Sequence, residues 1–357
     1  MRERINLPET YPAGMTIDNW GGYRRQLIEL FSEHEYGFTP QPPTEVRAKV
    51  VTDTIDFYSE WTGKADHKIV RLSFDTPMGE FSFRCDTTIP KSNEKLPLIV
   101  YIAFTKYPHG GFCPMEEIID RGYAVASFCY EDVMNDENYS ISGGIADMYP
   151  RSEDNGAAWG KIGMWAFAAS RVMDYVQTLE KIDKRRIYVA GHSRLGKTAL
   201  WCAAQDERFA GVVSNDSGCN GAAITRGKIG ESIADSVRVF PYWYCGNYAK
   251  YAGKHEELPF DQHQLLALIA PRLLCVGSAV EDSWADPDSE YLSVKMASEA
   301  YVLLGQPGLL GAVAELPEAG TRLLEGNPGY QIRKGSHFFG RDDWNTYLDY
   351  FDLHMPD

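Results

Sequence analysis

Long apolar runs, an excess of basic charge and paired cysteines are all missing from this 357-residue chain. No segment approaches the roughly 18 consecutive apolar residues of a membrane-spanning helix, so no membrane partner is expected. Lysine and arginine number 35 against 50 aspartates and glutamates, a formal net charge of -15. That balance repels a phosphate backbone on average, and nucleic acid is not an expected partner. The seven cysteines are odd in number and form no C-x-x-C pair, and Cys129, Cys202 and Cys275 sit in apolar runs typical of buried thiols. This usage argues against a zinc knuckle and favours a reducing compartment. The opening MRERINLPETYPAG continues into no apolar h-region, so the expected location is the cytoplasm, with secretion the alternative should a leader have been trimmed from it. Low-complexity tracts and internal repeats are absent too, and 44% hydrophobic with 24% charged residues describes a soluble globular chain.

What is present, from about residue 67 onward, is an alternation of short apolar runs with helix-like stretches, the pattern of an α/β fold with a mostly parallel sheet. HKIVRLSF and GEFSFRCDTTIP read as an opening hairpin. LPLIVYIAF (96–104) and GYAVASFCY (122–130) read as strands buried on both faces. IDKRRIYVAG, RFAGVVSNDSG and PRLLCVGSA supply three more, giving five parallel-type strands. Apolar positions at i, i+3 and i+4 in AWGKIGMWAFAASRVMDYVQTLEKI and LGKTALWCAAQ predict helices between them. The expected architecture is a three-layer αβα sandwich in a single domain, 1–357. Residues 1–66 contain the amphipathic YRRQLIELFSEHEYG and the Pro-rich TPQPPTE, and no long flexible linker sets them apart, so they are expected to wrap on that domain. The acidic loop at 131–156 follows a sheet strand, where ligands tend to bind.

Two unrelated catalytic signatures overlap in GHSRLGKT, residues 191–198. As G-x-x-x-x-G-K-[ST] it is a phosphate loop with Gly191, Gly196, Lys197 and Thr198 in place; from Ser193 it is a nucleophile elbow at a strand end. A phosphate loop needs an Asp at another strand end to organise magnesium, and Asp216 in GVVSNDSG is the candidate. However, N-K-x-D is absent, and the loop follows at least two buried strands instead of opening the domain. A serine nucleophile needs a histidine to take its proton and a carboxylate to fix that histidine's tautomer. In the α/β-hydrolase order Ser, Asp or Glu, His, the chain offers Ser193, then Asp282 past PRLLCVGSA, then His337 in IRKGSHFFG. Each falls at a strand-to-loop junction, which favours acyl transfer over nucleotide binding. His263 and His109 are rival bases. The elbow departs from G-x-S-x-G, because Leu195 stands two after Ser193 and the glycine comes one later, at Gly196.

GHSRLGK resembles the G-x-S-R-x-G-K elbow of the glucuronoyl esterases, carbohydrate esterase family 15. The likeness continues through ALWCAAQDERFAGVVSNDSGCNGAA, FPYWYC, LPFDQHQLLALIAPR and EDSWADP to the histidine loop, and takes in RRQLIELFSEHEYGFTP. It implies an α/β-hydrolase fold, no cofactor or metal, and two-step hydrolysis of a carbohydrate ester through an acyl-enzyme. Ser193 is then the nucleophile and His337 the general base. For the acid the resemblance offers two positions. Fungal members have Glu where Asp216 stands; the shorter side chain there makes Asp282, beside Glu281, the expected acid and Asp216 the alternative. Arg194 is expected to stabilise the oxyanion through its N–H and guanidinium, and Lys197, Trp284 and Glu231 to contact the sugar. A solvated helix lysine and a core-packing tryptophan are the plain alternatives for Lys197 and Trp284. The implied substrate is an ester of 4-O-methyl-glucuronic acid on xylan-derived saccharides. The alternative is an acetyl esterase acting on acetylated xylo-oligosaccharides, with a P-loop nucleotide hydrolase or an inactive sugar-binding relative further off.

Overall fold

A computed structural model of the protein describes residues 6–52, 63–106, 112–137, 139–150, 156–227 and 229–355. Among the described residues there are ten strands: β1 Arg47–Thr52, β2 Ala65–Thr76, β3 Gly79–Pro90, β4 Leu96–Ala103, β5 Ala124–Cys129, β6 Ile182–His192, β7 Gly211–Asn215, β8 Leu273–Ala279, β9 Arg322–Leu323 and β10 Gly329–Arg333. Among the described residues they form one sheet in the order β1-β2-β3-β5-β4-β6-β7-β8-β10-β9. Strands β5, β4, β6, β7, β8 and β10 run parallel, while β1, β2, β3 and β9 join antiparallel at the two edges. The five expected parallel strands are thus joined by a sixth, β10, whose short GYQIR carries a polar Gln331 that donates to Asp343 at 3.0 Å.

Eight α-helices are present among the described residues: α1 Ile17–Phe31, α2 Met115–Asp120, α3 Lys161–Val176, α4 Arg194–Gln205, α5 Ile233–Val239, α6 Gln262–Ala267, α7 Pro287–Leu303 and α8 Arg341–Leu353. The period-2 alternation of the central strands sorts side chains onto two faces. Leu98, Val100 and Ile102 of β4 pack in one core with α1, α3, α4, α6 and α7. Ile99, Tyr101 and Ala103 pack in the other with α2 and α8, where Phe351 stacks on Tyr188 at 3.8 Å. The result is the expected αβα sandwich.

The N-terminal region does more than wrap this core. Its β1 extends the sheet; all six of its residues are at least partly exposed, and this weak apolar alternation kept the strand out of the sequence pattern. Phe31 packs at 3.9 Å on Phe260, and Tyr36 stacks on Trp201 of α4 at 4.6 Å. Arg24 donates to the carbonyls of Leu268 (3.1 Å) and Ala204, closing the C-terminal ends of α6 and α4. All seven cysteines are buried. Among the described residues no helix is long and apolar enough to cross a membrane. His109, one of the rival bases, lies outside the described residues, and His263 is fully buried in α6.

Candidate active site

Strand β6 ends at His192 and α4 begins at Arg194, so Ser193 alone makes the turn. It does so at φ 58° and ψ -128°, a conformation costly for a residue with a Cβ, on the order of 1–3 kcal/mol. The elbow is held by the Ser193 N–H donating to Asn215 O at 2.8 Å and by Ser193 O accepting from the N–H groups of Gly196 and Lys197. The one-residue displacement of the second glycine has a steric reason. A Cβ on Gly196 would stand 3.0 Å from Ser217 Cβ and 3.1 Å from Ser214 Oγ, so the close helix approach falls there, while the Leu195 side chain enters the core.

Adjacent parallel strands deliver the remaining groups. His192, Asn215 and Gly277 are register partners across β6, β7 and β8, and Ala279 pairs with Arg333 of β10. Asp216, Asp282 and His337 therefore emerge at the same sheet edge as Ser193. His337 Nδ1 lies 2.6 Å from Asp282 Oδ2, so a proton on Nδ1 is donated to the carboxylate and Nε2 keeps its lone pair. Burial alone would raise the Asp282 carboxyl, but the hydrogen bond and charge of His337, the Ala285 N–H and Arg333 outweigh it and hold Asp282 below the ordinary aspartate range. Asp216 accepts instead from Arg333 (2.9 Å), from the Phe338 N–H (3.3 Å) and from Asn215 Nδ2 (3.2 Å). Of the two acids weighed on sequence, the structure brings Asp282 to the histidine and gives Asp216 to an arginine.

Arg194 opens α4 and turns back over the site. Its guanidinium pairs with Asp136 and lies over the rings of Trp243 (4.7 Å), Phe240 (5.6 Å) and Phe104 (5.8 Å). Among the described residues its Nε has no hydrogen-bond partner. The backbone N–H at the start of α4, with the Arg194 guanidinium charge beside the serine, can stabilise negative charge that develops on a bound carbonyl oxygen.

Lys197, one turn along α4, is buried rather than solvated. Its Nζ donates to Ser217 O (2.7 Å) and Cys219 O and lies 3.6 Å from Glu231 Oε2. Glu231 is brought in by Gly230, whose φ of +80° and lack of a Cβ let the chain approach within contact of Ser283 O and Trp284 O; the Glu231 N–H donates to Trp284 O at 3.0 Å. Trp284 is 55% exposed and does not pack in the core. Ser193, Arg194, Lys197, Asp216, Glu231, Asp282, Trp284 and His337 line one cleft of about 320 Å³, with Phe240 and Trp243 on its wall. A larger groove of about 750 Å³ lies at the far end of α4, roughly 18 Å along the helix axis, but no histidine lines it, and Arg171 and Arg208 there pair with Asp174 and Asp206.

This geometry does not suit a phosphate loop. Such a loop needs several residues between strand and helix to wrap phosphates with N–H groups. Here there is one, and the lysine that would reach a phosphate is tied to two carbonyls and a carboxylate.

A family model described as fungal glucuronyl esterase matches residues 74–305, well over half of the chain. The chain belongs to the glucuronoyl esterase family. A carbohydrate esterase from an unknown prokaryotic organism is 41% identical over 243 residues, covering 68% of this chain and 56% of that protein. A 4-O-methyl-glucuronoyl methylesterase of Podospora anserina is 26% identical over 317 residues, covering 85% of this chain and 60% of that one. The chain thus spans little more than half the length of these curated relatives. Among solved structures, a glucuronoyl esterase from Solibacter usitatus superposes with a TM-score of 0.90 at 29% identity, covering 98% of both chains. The αβα sandwich is accordingly the α/β-hydrolase fold of the family.

Several groups at this site of the glucuronoyl esterase family member were not singled out on sequence. His192 sits beside His337 with ring centroids 4.5 Å apart, and its Nδ1 accepts from Asn215 Nδ2 at 3.0 Å. Burial, then the neighbouring His337, holds it well below the usual histidine range, so it packs as a neutral ring. His192 was visible inside the motif, Asp136 inside the acidic loop, and Phe240 and Trp243 inside FPYWYC. No spacing rule connects these segments, because the fold alone brings them to Arg194.

Proposed function

We propose that this glucuronoyl esterase family member is a serine carbohydrate esterase that hydrolyses esters of 4-O-methyl-glucuronic acid on xylan-derived saccharides. The observation that carries the reading is the 2.6 Å His337–Asp282 hydrogen bond in the same cleft as the strained Ser193 elbow. In the first step Ser193 Oγ attacks the ester carbonyl while His337 Nε2 takes its proton, and Asp282 stabilises the imidazolium. Arg194 stabilises the tetrahedral oxyanion. The alcohol leaves with the proton from His337, water activated by the same ring attacks the acyl-enzyme, and the acid is released. Trp284 offers an exposed ring face for a pyranose, and the Lys197–Glu231 pair offers polar contacts beside it. Residues 1–66 belong in this reading to the same single domain, supported by β1 in the sheet and by Arg24 on α4 and α6.

The test compares hydrolysis of benzyl glucuronate and of an acetylated xylo-oligosaccharide by wild type and Ser193→Ala. Glucuronate ester cleavage that disappears in the variant supports the proposal. Acetate release alone keeps the serine chemistry and moves the substrate to acetylated saccharides; cleavage of neither overturns the esterase reading.

A further inference from the structure

Ester hydrolysis at this site changes the charge of what is bound. The ester carbonyl is neutral; water adds, the alcohol departs, and the resulting acid loses its proton to solvent near neutral pH and becomes a carboxylate. An arginine beside the serine is the group best shaped to retain that carboxylate, through paired N–H donors. The cleft does not leave it bare. Asp136, from the loop that follows β5, pairs with the Arg194 guanidinium, and its side chain is only 8% exposed. Trp243 Nε1–H donates to Asp136 at 2.6 Å and the Tyr130 hydroxyl donates at 3.3 Å, so the carboxylate is held from three sides. The other lysine or arginine lining the cleft, Lys197, has Glu231 at 3.6 Å, with both side chains buried. Arg333, behind the histidine loop, is likewise paired with Asp216 and Asp343. Among the described residues that line the cleft, each lysine and arginine has its own carboxylate.

We propose that Asp136 and Glu231 act as charge-neutralising residues that let the site accept an uncharged glucuronate ester and release the glucuronate anion it makes. This rests on the glucuronoyl esterase reading above. Asp136 also positions Arg194, and the two roles separate in their kinetics. Loss of positioning lowers kcat, whereas loss of neutralisation tightens binding of the anion relative to the ester.

The experiment measures KM for methyl glucuronate and the competitive inhibition constant Ki for free glucuronate, using the full chain at low salt. In wild type Ki exceeds KM. In Asp136→Asn the ratio Ki/KM falls about tenfold, the effect of one uncompensated charge near a bound anion, and added salt reverses the fall. Tyr130→Phe, which removes a donor to Asp136 but no charge, keeps the wild-type ratio even where kcat drops. Should Asp136→Asn not fold, Glu231→Gln tests the same claim at Lys197 and lowers the ratio in the same direction. A wild type that binds glucuronate more tightly than the ester overturns the inference, as do variants with an unchanged ratio. A wild type that does not cleave methyl glucuronate overturns the functional reading and takes this inference with it.

Discussion

The ends of β7 and β8 present the same side chain with opposite consequences. Asp216 and Asp282 each follow a parallel strand, each is at most 5% exposed, and their carboxylates and the His337 ring offer polar atoms within 4.8 Å of one another. At the β8 end Asp282 has a histidine partner and is held below the ordinary aspartate range against the pull of burial. At the β7 end burial and then the buried Glu290 push Asp216 well above that range, with Arg333 pulling the other way, and its Oδ1 has no hydrogen-bond partner among the described residues. Burial penalises both carboxylates. The partner decides which one is suited to stabilise an imidazolium, so in the proposed mechanism the acid is set by its neighbour rather than by proximity to the histidine alone.

The largest expected effect tests that division directly. Asp282→Asn leaves a neutral amide against Nδ1 and permits the wrong tautomer, so kcat/KM on a glucuronate ester should fall on the order of 10³–10⁴-fold. Asp216→Asn should cost far less: it removes one charge-assisted bond worth about 1.5 kcal/mol, roughly tenfold in rate, while Arg333 keeps Asp343 at 2.8 Å. Steady-state kinetics of the two variants side by side would break the comparison if the losses were equal or reversed.

Glu35 extends the series to a buried carboxylate whose nearest donor is an amide. It is fully buried and accepts from Gln262 Nε2 at 3.0 and 3.2 Å. Burial, against the pull of Gln262 and Tyr36, pushes its carboxyl from 4.5 up to about 8. A folded-state value above the unfolded one means that the folded chain binds the proton more tightly. The associated stability is therefore complete below pH 4.5 and is lost as pH rises through about 8, at up to about 1.4 kcal/mol per pH unit. Thermal melts between pH 5 and 8.5 should show Tm falling in wild type and a flatter profile in Glu35→Gln. Parallel profiles would remove Glu35 from the series.

How much of this was legible before the fold is known follows from the reach of each signal. The αβα sandwich was legible because β4 to β8 are apolar runs with helical periodicity between them, and the elbow because Ser193 lies inside a compact motif. Asp282 and His337 were legible through chain order at strand ends. The preference for Asp282 over Asp216 rested on side-chain length, whereas in the structure Asp216 is engaged by Arg333, a residue 117 positions away. The pairing of Arg194 with Asp136 across 58 residues left no local trace either. Local chemistry is written in neighbouring letters, while the partner that sets a charge comes from another strand.

The smallest expected effect separates binding from chemistry on the β8 turn itself, where Trp284 follows Asp282 by two residues. Asp282 is buried and bonded to the base, whereas Trp284 is more than half exposed and shares the cleft wall. Removing the ring face proposed to receive the sugar should cost about 1 kcal/mol, roughly fivefold in affinity. Because that contact exists in the bound ester as much as in the transition state, the loss in Trp284→Ala belongs in KM with kcat little changed. Asp282→Asn should instead lower kcat. If Trp284→Ala lowered kcat and left KM alone, the tryptophan would be supporting the acid rather than the sugar, and the β8 end would differ from the β7 end in chemistry only.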